Sequence, residues 1–149
     1  MANRTETKFG DPAGRIAQTE GWTVLLRPKQ PTLASLVVIC REPVLAFADV
    51  STAAFAELRD VVRTLEAVLR EVVAYERINY LMLMMVDPDV HLHVIPRYAG
   101  VRHYAGLEFA DAGWPGQPTL DAAASLDAAT TDALIATLRE AWLRHATPR

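Results

Sequence analysis

The sequence predicts an α+β domain built on an antiparallel sheet. Segments typical of strands and segments typical of helices follow one another in the order strands, helix, strands, helix. The 149 residues, of which 51% are hydrophobic and 22% charged, suit one domain spanning residues 1–149. The four strand segments are WTVLLRP (22–28), LASLVVIC (33–40), INYLMLMMV (78–86) and VHLHVIPRY (90–98).

The first pair is predicted to be two strands joined by a turn, and the second pair an antiparallel hairpin because its connection is short. The segment RPKQP, with two prolines, joins the first pair, and only residues 87–89 separate the second pair. A parallel pair needs a crossover of about a dozen residues or more. Met82, Met84 and Met85 are predicted to fill the core.

Two helices are predicted from their apolar spacing. The first begins after Ser51 or Thr52, which are both good N-caps. Its apolar residues recur at alternating steps of three and four and predict a buried stripe of Phe55, Leu58, Val62, Leu65, Leu69 and Val72. The second runs from Asp127 or Thr131 to His145, with Leu134, Leu138 and Trp142 buried. The first ten residues and residues 99–126 are predicted to lack regular structure.

Composition excludes several classes of protein. The net charge of −3 gives no basic excess of the kind that duplex-DNA binders show, so no nucleic-acid partner is expected. Cys40 is the only cysteine, which excludes an intramolecular disulfide, and its apolar neighbours predict a buried thiol. The polar start lacks the apolar region of a secretory signal, and no apolar run is long enough to span a bilayer. A cytoplasmic protein without a membrane partner is the expectation.

One face of the last strand carries chemistry. Side chains alternate along a strand, so Asp89, His91 and His93 share one face, about 6–7 Å apart along it. The opposite face carries Val90, Leu92 and Val94 and suits packing against helices. A single bound group is therefore able to touch all three polar side chains.

Three interpretations of this polar face remain open. The two histidines are solvated side chains without a role, or they join Asp89 as ligands of zinc or iron(II), in a metal-dependent enzyme. In the third interpretation a neutral imidazole attacks phosphorus, which requires an acceptor on its other nitrogen and donors for the phosphoryl oxygens. His93 is a candidate donor to a phosphate oxygen.

The segment HLHVIPRY resembles the signature of the histidine triad (HIT) superfamily, His-x-His-x-His followed by apolar residues and often Val-Ile-Pro-Arg. The segment QPTLASLVVIC is similar to the family's Pro-x-Gly-His strand, with Ala34 and Ser35 in place of Gly-His. The resemblance covers roughly residues 20–105 and leaves residues 106–149 as a C-terminal extension and helix. It implies a HIT-like α+β fold with an antiparallel sheet of about five strands, one long central helix and a C-terminal helix.

The resemblance also implies a function. Many members hydrolyse or transfer nucleoside monophosphates from dinucleoside polyphosphates or phosphoramidates through a nucleotidyl-histidine intermediate. His91 matches the middle histidine, which is the nucleophile, and His93 matches the third. Arg27 falls near the family's polar ribose contact, where it reaches ribose or phosphate or is a solvated turn residue. The resemblance implies a homodimer, no cofactor and no metal, and it gives Trp114 either a structural role or a role in substrate choice.

Asp89 is where the sequence departs from the family, because it occupies the position of the first histidine. Its carboxylate is able to orient His91, or to protonate the leaving group if its own pKa is raised. As an anion about 6 Å from a phosphate, it repels the substrate by roughly 3 kcal/mol at an effective dielectric near 20. A nucleotide-binding protein with weak or no catalysis is therefore the alternative to an enzyme.

Overall fold

The structure is a computed structural model that describes residues 2–146. Short 3-10 turns at Phe47–Asp49 and Leu120–Ala122 separate some of its longer elements. Its helices are α1 (Arg4–Lys8), α2 (Thr52–Val73) and α3 (Ala128–His145). Its strands are β1 (Arg15–Gln18), β2 (Trp22–Leu26), β3 (Lys29–Gln30), β4 (Leu36–Cys40), β5 (Arg77–Leu81), β6 (His91–Arg97), β7 (Val101–Tyr104), β8 (Leu107–Ala110) and β9 (Ala124–Ser125).

A five-stranded sheet in the order β1-β2-β4-β6-β5 organises the domain, and every neighbouring pair in it is antiparallel. The short strands β3 and β9 pair with each other, as do β7 and β8. Helices α2 and α3 pack together on one face of the large sheet. The predicted α+β class, with its five-stranded antiparallel sheet, long helix and C-terminal helix, is confirmed.

The second strand pair is antiparallel as predicted, but its connection is longer. Strand β5 ends at Leu81, and residues 82–90 carry the chain to β6. Met84 has a φ of 52°, which no strand residue adopts, so the chain leaves the sheet before it. Met82 and Met84 pack against the core, whereas Met85 is 85% exposed, so its assignment to the core is wrong.

Helix α2 begins where the sequence predicts, with Ser51 as its N-cap, but its buried face is rotated. The indole nitrogen of Trp22 donates to the carbonyl oxygen of Ala54 at 2.8 Å, which brings the Ala54 side of the helix against the sheet. Phe55 consequently points outward and is 39% exposed, so its place in the predicted stripe is wrong. The residues that α2 buries are Ala54, Val61, Thr64, Leu65, Val68, Leu69 and Val73.

Helix α3 matches its prediction. Asp127 is the N-cap and accepts a hydrogen bond from the Thr130 amide at 2.7 Å. Leu134, Leu138 and Trp142 lie on its buried face, as their spacing predicts.

Residues 2–10 are ordered, contrary to the prediction, and residue 1 lies outside the described residues. Asn3 caps the single turn of α1, whose Thr5 and Glu6 side chains are buried, and β1 then adds the strand that the prediction lacked. The Glu6 carboxylate accepts from the Thr23 hydroxyl at 2.7 Å. A polar segment of this kind is ordered by specific hydrogen bonds rather than by apolar periodicity, which explains why the sequence pattern did not reveal it.

Residues 99–126 also contain more structure than predicted. Strands β7 and β8 form a hairpin whose turn residues, Ala105 and Gly106, both have positive φ. Two consecutive residues of positive φ make the turn that suits a two-residue hairpin loop, although asparagine or glycine more often comes first.

The main core lies between the sheet and the two long helices. The face of β6 that carries Val90, Leu92 and Val94 points into it, as predicted. Cys40 is buried there, and burial raises the pKa of its thiol. Within residues 2–146 no helix has the length and apolar character needed to cross a membrane.

Candidate active site

The second face of the sheet carries the two histidines of β6. His91 lies opposite Ile39 of β4, and His93 lies opposite Val37. Both histidines are buried, with 2% and 6% of their surfaces exposed. Their ring centroids are 5.2 Å apart, with the planes at 78°. Strand alternation therefore brings the two rings together, as the sequence predicts.

The imidazole of His91 is oriented by the main chain. Its Nδ1 lies 2.7 Å from the carbonyl oxygen of Asp89. A carbonyl oxygen only accepts hydrogen bonds, so Nδ1 carries the proton of the neutral ring and Nε2 keeps its lone pair. This is the acceptor that a histidine nucleophile requires, and it comes from the backbone of Asp89 rather than from its carboxylate.

The carboxylate of Asp89 is engaged elsewhere. Its Oδ2 accepts hydrogen bonds from the Thr5 amide at 3.0 Å and from the Thr5 hydroxyl at 2.8 Å. The same hydroxyl accepts from the Asp89 amide at 3.2 Å. Asp89 lies two residues before His91, the first residue of β6, and is 9% exposed. It thus joins the histidine site to the N-terminal segment.

His93 is buried without a partner for one of its nitrogens. Among the side chains of residues 2–146, only Nδ1 of His93 and Nε of Arg27 are buried nitrogens that lack a hydrogen-bond partner. Burial, together with the positive charge of Arg27, lowers the pKa of His93 to about 4. His93 is therefore a neutral imidazole at neutral pH. Unsatisfied buried groups of this kind concentrate at functional sites.

Arg27 follows β2 and extends into the same region. Its charge acts on His93, and burial lowers its own pKa. One terminal nitrogen donates to the Lys29 carbonyl oxygen at 2.7 Å. The Nε nitrogen of the same side chain is buried and has no hydrogen-bond partner. Arg27, the candidate contact to ribose or phosphate from the sequence, thus lies near the histidines and is partly buried rather than fully solvated.

Phe9 is a residue of the site that the sequence did not reveal. Its ring centroid lies 6.1 Å from that of His91 and 5.8 Å from that of His93. It packs on a small apolar cluster formed by Leu25, Val37 and Ile39 on the same face of the sheet. The one available signal was an isolated aromatic residue in an otherwise polar segment.

Arg97, which follows the histidines on β6, fixes the segment 111–118 in place, and this segment forms a second wall of the site. Arg97 pairs with the Asp111 carboxylate, with Nε 2.6 Å from Oδ2, and both side chains are at most 5% exposed. Arg97 also donates to the Asn79 side chain at 2.7 Å and to the Gly116 carbonyl oxygen at 2.8 Å. These bonds fix the turn-rich segment 111–118, which contains Trp114, beside β5 and β6.

A groove of about 900 Å³ lies along this wall. Leu81 lines it and is the cross-strand neighbour of His93, so the groove opens on the histidine side of the sheet. Its other lining residues include Asn79, Arg97 and Trp114. An open groove therefore lies next to the buried histidine pair.

The segment that resembles Pro-x-Gly-His has a backbone conformation typical of glycine at Ala34. Ala34 has a φ of 60°, in the left-handed region that favours glycine. Ser35, at the position of the histidine, is buried and donates its hydroxyl to the Thr32 carbonyl oxygen at 3.0 Å. Tyr98 supports the same loop by accepting from the Leu33 amide at 3.0 Å.

A five-stranded antiparallel sheet with these connections and a histidine pair on its second face is the histidine triad fold. A histidine triad protein from Bradyrhizobium japonicum superposes with a TM-score of 0.73 at 19% identity, covering 99% of this chain and 98% of that one. A hypothetical histidine triad nucleotide-binding protein from Sulfolobus tokodaii gives 0.65 at 17%, with coverages of 88% and 84%. A zinc-bound histidine triad family protein from Mycobacterium smegmatis gives 0.64 at 18%, with coverages of 94% and 91%. No family model matches the sequence, and a search of curated proteins found no match.

The metal interpretation gains no support from the side chains. Within residues 2–146, no group of three His, Cys, Asp or Glu side chains is arranged to hold a metal ion. Asp89, which that interpretation requires as a ligand, directs its carboxylate to Thr5.

Proposed function

We propose that the protein is a nucleotide hydrolase or nucleotidyl transferase with His91 as its nucleophile. The bond of 2.7 Å between Nδ1 of His91 and the Asp89 carbonyl oxygen carries this proposal. In the neutral ring it leaves the lone pair of Nε2 available for attack on phosphorus. The fold, which this chain has in common with histidine triad proteins, supports the same reaction class.

In the proposed reaction, Nε2 of His91 attacks the α-phosphorus of a dinucleoside polyphosphate or a nucleoside phosphoramidate. A bond forms between Nε2 and phosphorus while the bond to the leaving group breaks, and the leaving group takes the electron pair and a proton from solvent water. Water, or another acceptor, then attacks phosphorus and loses a proton to solvent, while the bond between phosphorus and Nε2 breaks and its electron pair returns to Nε2. This step releases the nucleoside monophosphate or transfers it, and it regenerates the neutral ring of His91.

His93 and Arg27 stabilise the phosphoryl oxygens in this proposal. His93 is neutral because burial and Arg27 lower its pKa to about 4, so it donates a single N–H to a phosphoryl oxygen. Arg27 supplies a positive charge, and its Nε has no protein partner in the present conformation. Both groups stabilise the negative charge that the phosphoryl oxygens carry in the transition state.

The test is turnover of diadenosine polyphosphates and adenosine phosphoramidates by the wild-type protein and by His91→Ala. Loss of the nucleophile is expected to lower the rate at least about a thousandfold. His103→Ala is the matched control, because the His103 side chain is 66% exposed and lies on the β7–β8 hairpin. Mass spectrometry of the quenched wild-type reaction is expected to find the nucleotide on His91. Equal turnover by wild type and His91→Ala would refute the proposal.

A nucleotide-binding protein with weak or no catalysis is the second candidate. It is favoured by the burial of His91, which is 2% exposed beneath Phe9. Under this proposal AMP binds, as calorimetry detects, while none of the substrates above is turned over. Turnover that depends on His91 excludes this candidate.

We also propose a homodimer formed across α2 and the edge of the sheet. Strand β5 is an edge strand, and the outer face of α2 exposes apolar side chains. Phe47 and Phe55 are 45% and 39% exposed, with ring centroids 5.3 Å apart. Leu58 and Val62 continue this surface along the helix. Sedimentation of a monomer at micromolar concentration would contradict the proposal.

A further inference from the structure

The N-terminal segment is attached by several polar contacts, of which the bonds between Thr5 and Asp89 lie nearest in sequence to His91. Thr5 and Asp89, which are 84 residues apart in sequence, exchange three hydrogen bonds of 2.8, 3.0 and 3.2 Å. Thr5 is fully buried. A helix of one turn is not stable by itself, so the position of α1 depends on such tertiary contacts. Asn3 and Glu6 add bonds to the Cys40 carbonyl oxygen and the Thr23 hydroxyl.

The attachment determines where Phe9 lies. Phe9 directly follows α1, and its ring packs on Leu25, Val37 and Ile39 and against both histidine rings. The phenyl ring excludes water from the imidazoles, which are 2% and 6% exposed. Any displacement of α1 therefore changes the surroundings of His91 and His93.

The bonding of Asp89 is that of an acceptor. Both donors of Thr5 end on the same oxygen, Oδ2. The amide oxygen of an asparagine is able to occupy this position and accept both bonds, although asparagine cannot ionise. If Asp89 acts as an acceptor, Asp89→Asn therefore preserves its role. If Asp89 acts as an acid or an anion, Asp89→Asn abolishes it.

We propose that Asp89 is a positioning residue, which fixes Phe9 against His91 and His93 by accepting the hydrogen bonds of Thr5. The role of this arrangement in catalysis rests on the function proposed above. The anchoring of the N-terminal segment does not rest on that function. Anchoring and catalysis are therefore tested by separate measurements.

The anchoring is tested by the reaction of the full-length protein with diethyl pyrocarbonate at neutral pH. The reagent modifies unprotonated imidazoles, and tandem mass spectrometry reports the rate at each histidine. His103 is an internal reference because its side chain is 66% exposed and its ion-pair partner, Glu108, is exposed as well. The measured quantity is the rate at His91 and His93 relative to the rate at His103.

The variants separate an acceptor from an acid. Asp89→Ala removes both acceptor bonds and is expected to raise the relative rates at His91 and His93 about tenfold. Thr5→Val removes the hydroxyl but keeps the amide donor, so a rise of about threefold is expected. Asp89→Asn and Thr5→Ser keep the bonds and are expected to stay within about twofold of wild type. Thr7→Val is the control, because the exposed Thr7 hydroxyl bonds only to the Asn3 carbonyl oxygen.

Two results would overturn the proposal. The first is an Asp89→Asn variant that exposes the histidines as much as Asp89→Ala, since the charge and not the acceptor then matters. The second is an Asp89→Ala variant whose histidines stay as protected as in wild type. If Asp89→Ala does not fold, the comparison of Thr5→Val with Thr5→Ser decides, because protection that is equal in both contradicts anchoring through the hydroxyl.

Turnover is measured on the same variants to keep the two proposals distinct. A wild-type protein without turnover refutes the proposed function and leaves the result on accessibility intact. If turnover is present, a positioning role predicts that Asp89→Asn keeps the pH profile of wild type, whereas an acid at position 89 requires the loss of one limb of that profile.

Discussion

The depressed pKa of His93 makes the stability of the domain depend on pH. Burial is the main cause and the charge of Arg27 the second, and together they lower the pKa from 6.5 to about 4. Above the unfolded-state pKa the ring is neutral in both states and has no effect on the free energy of unfolding. As the pH falls toward 4, the unfolded chain binds a proton that the folded chain does not, so stability is lost.

The size of this loss follows from the two pKa values. A decrease from 6.5 to about 4 corresponds to about 3 kcal/mol when the pH lies below both values. About 2 kcal/mol of this is lost between about pH 7 and pH 5. The group is 6% exposed, so solvent screening reduces the figure little.

The assay is urea unfolding of wild type and His93→Gln across this pH range. Other groups contribute to the pH dependence of both proteins, and the difference between the two curves isolates His93. The difference is expected to change by about 2 kcal/mol between about pH 7 and pH 5, in favour of the variant at low pH. His103→Gln, at an exposed position, is expected to follow wild type. Parallel curves for wild type and His93→Gln, or an NMR titration of His93 near 6.5, would refute the reasoning.

Three further predictions concern the framework of the site. Arg97→Ala is expected to lower the free energy of unfolding by about 3–5 kcal/mol, because it leaves the Asp111 carboxylate buried without its partner. Arg77→Ala, at an exposed position, is expected to change it by less than about 0.5 kcal/mol, and equal effects of the two changes would contradict the buried pair. Ala34→Gly is expected to raise the free energy of unfolding by up to about 1 kcal/mol, since glycine adopts a φ of 60° without strain. A lower free energy of unfolding would speak against that conformation. For the proposed homodimer, Phe55→Glu is expected to shift sedimentation to a monomer, and an unchanged dimer would exclude this face of α2 as the interface.

Local patterns predicted the parts of the fold whose physical basis is local. The alternation VHLHV placed His91 and His93 on one face because a strand has a period of two. The spacing of Leu134, Leu138 and Trp142 predicted the buried side of α3 for the same kind of reason. In these cases the side-chain direction depends only on neighbours along the chain.

The errors share a different physical origin. Helix α2 was predicted in place, but a bond between Trp22 and Ala54, 32 residues apart, determines which side faces the sheet. Thr5 is a polar residue in a polar segment, and only its pairing with Asp89 makes its burial favourable. Contacts between residues far apart in sequence leave no periodic pattern, so sequence reasoning identified the histidine pair and missed the segment that covers it.

The same contacts bear on whether aspartate is compatible with an anionic substrate. A carboxylate about 6 Å from a phosphate repels it by about 3 kcal/mol at an effective dielectric near 20, if nothing compensates the charge. Here two donors of Thr5 lie against Oδ2, so their dipoles stabilise the negative charge and partly screen it. Arg27 contributes an opposite charge that already acts on His93. The backbone of residue 89 still supplies the acceptor that orients His91, whatever the side chain is. The reaction proposed for His91 therefore requires the carbonyl group at position 89, while the side chain there is available to organise the N-terminal wall of the site.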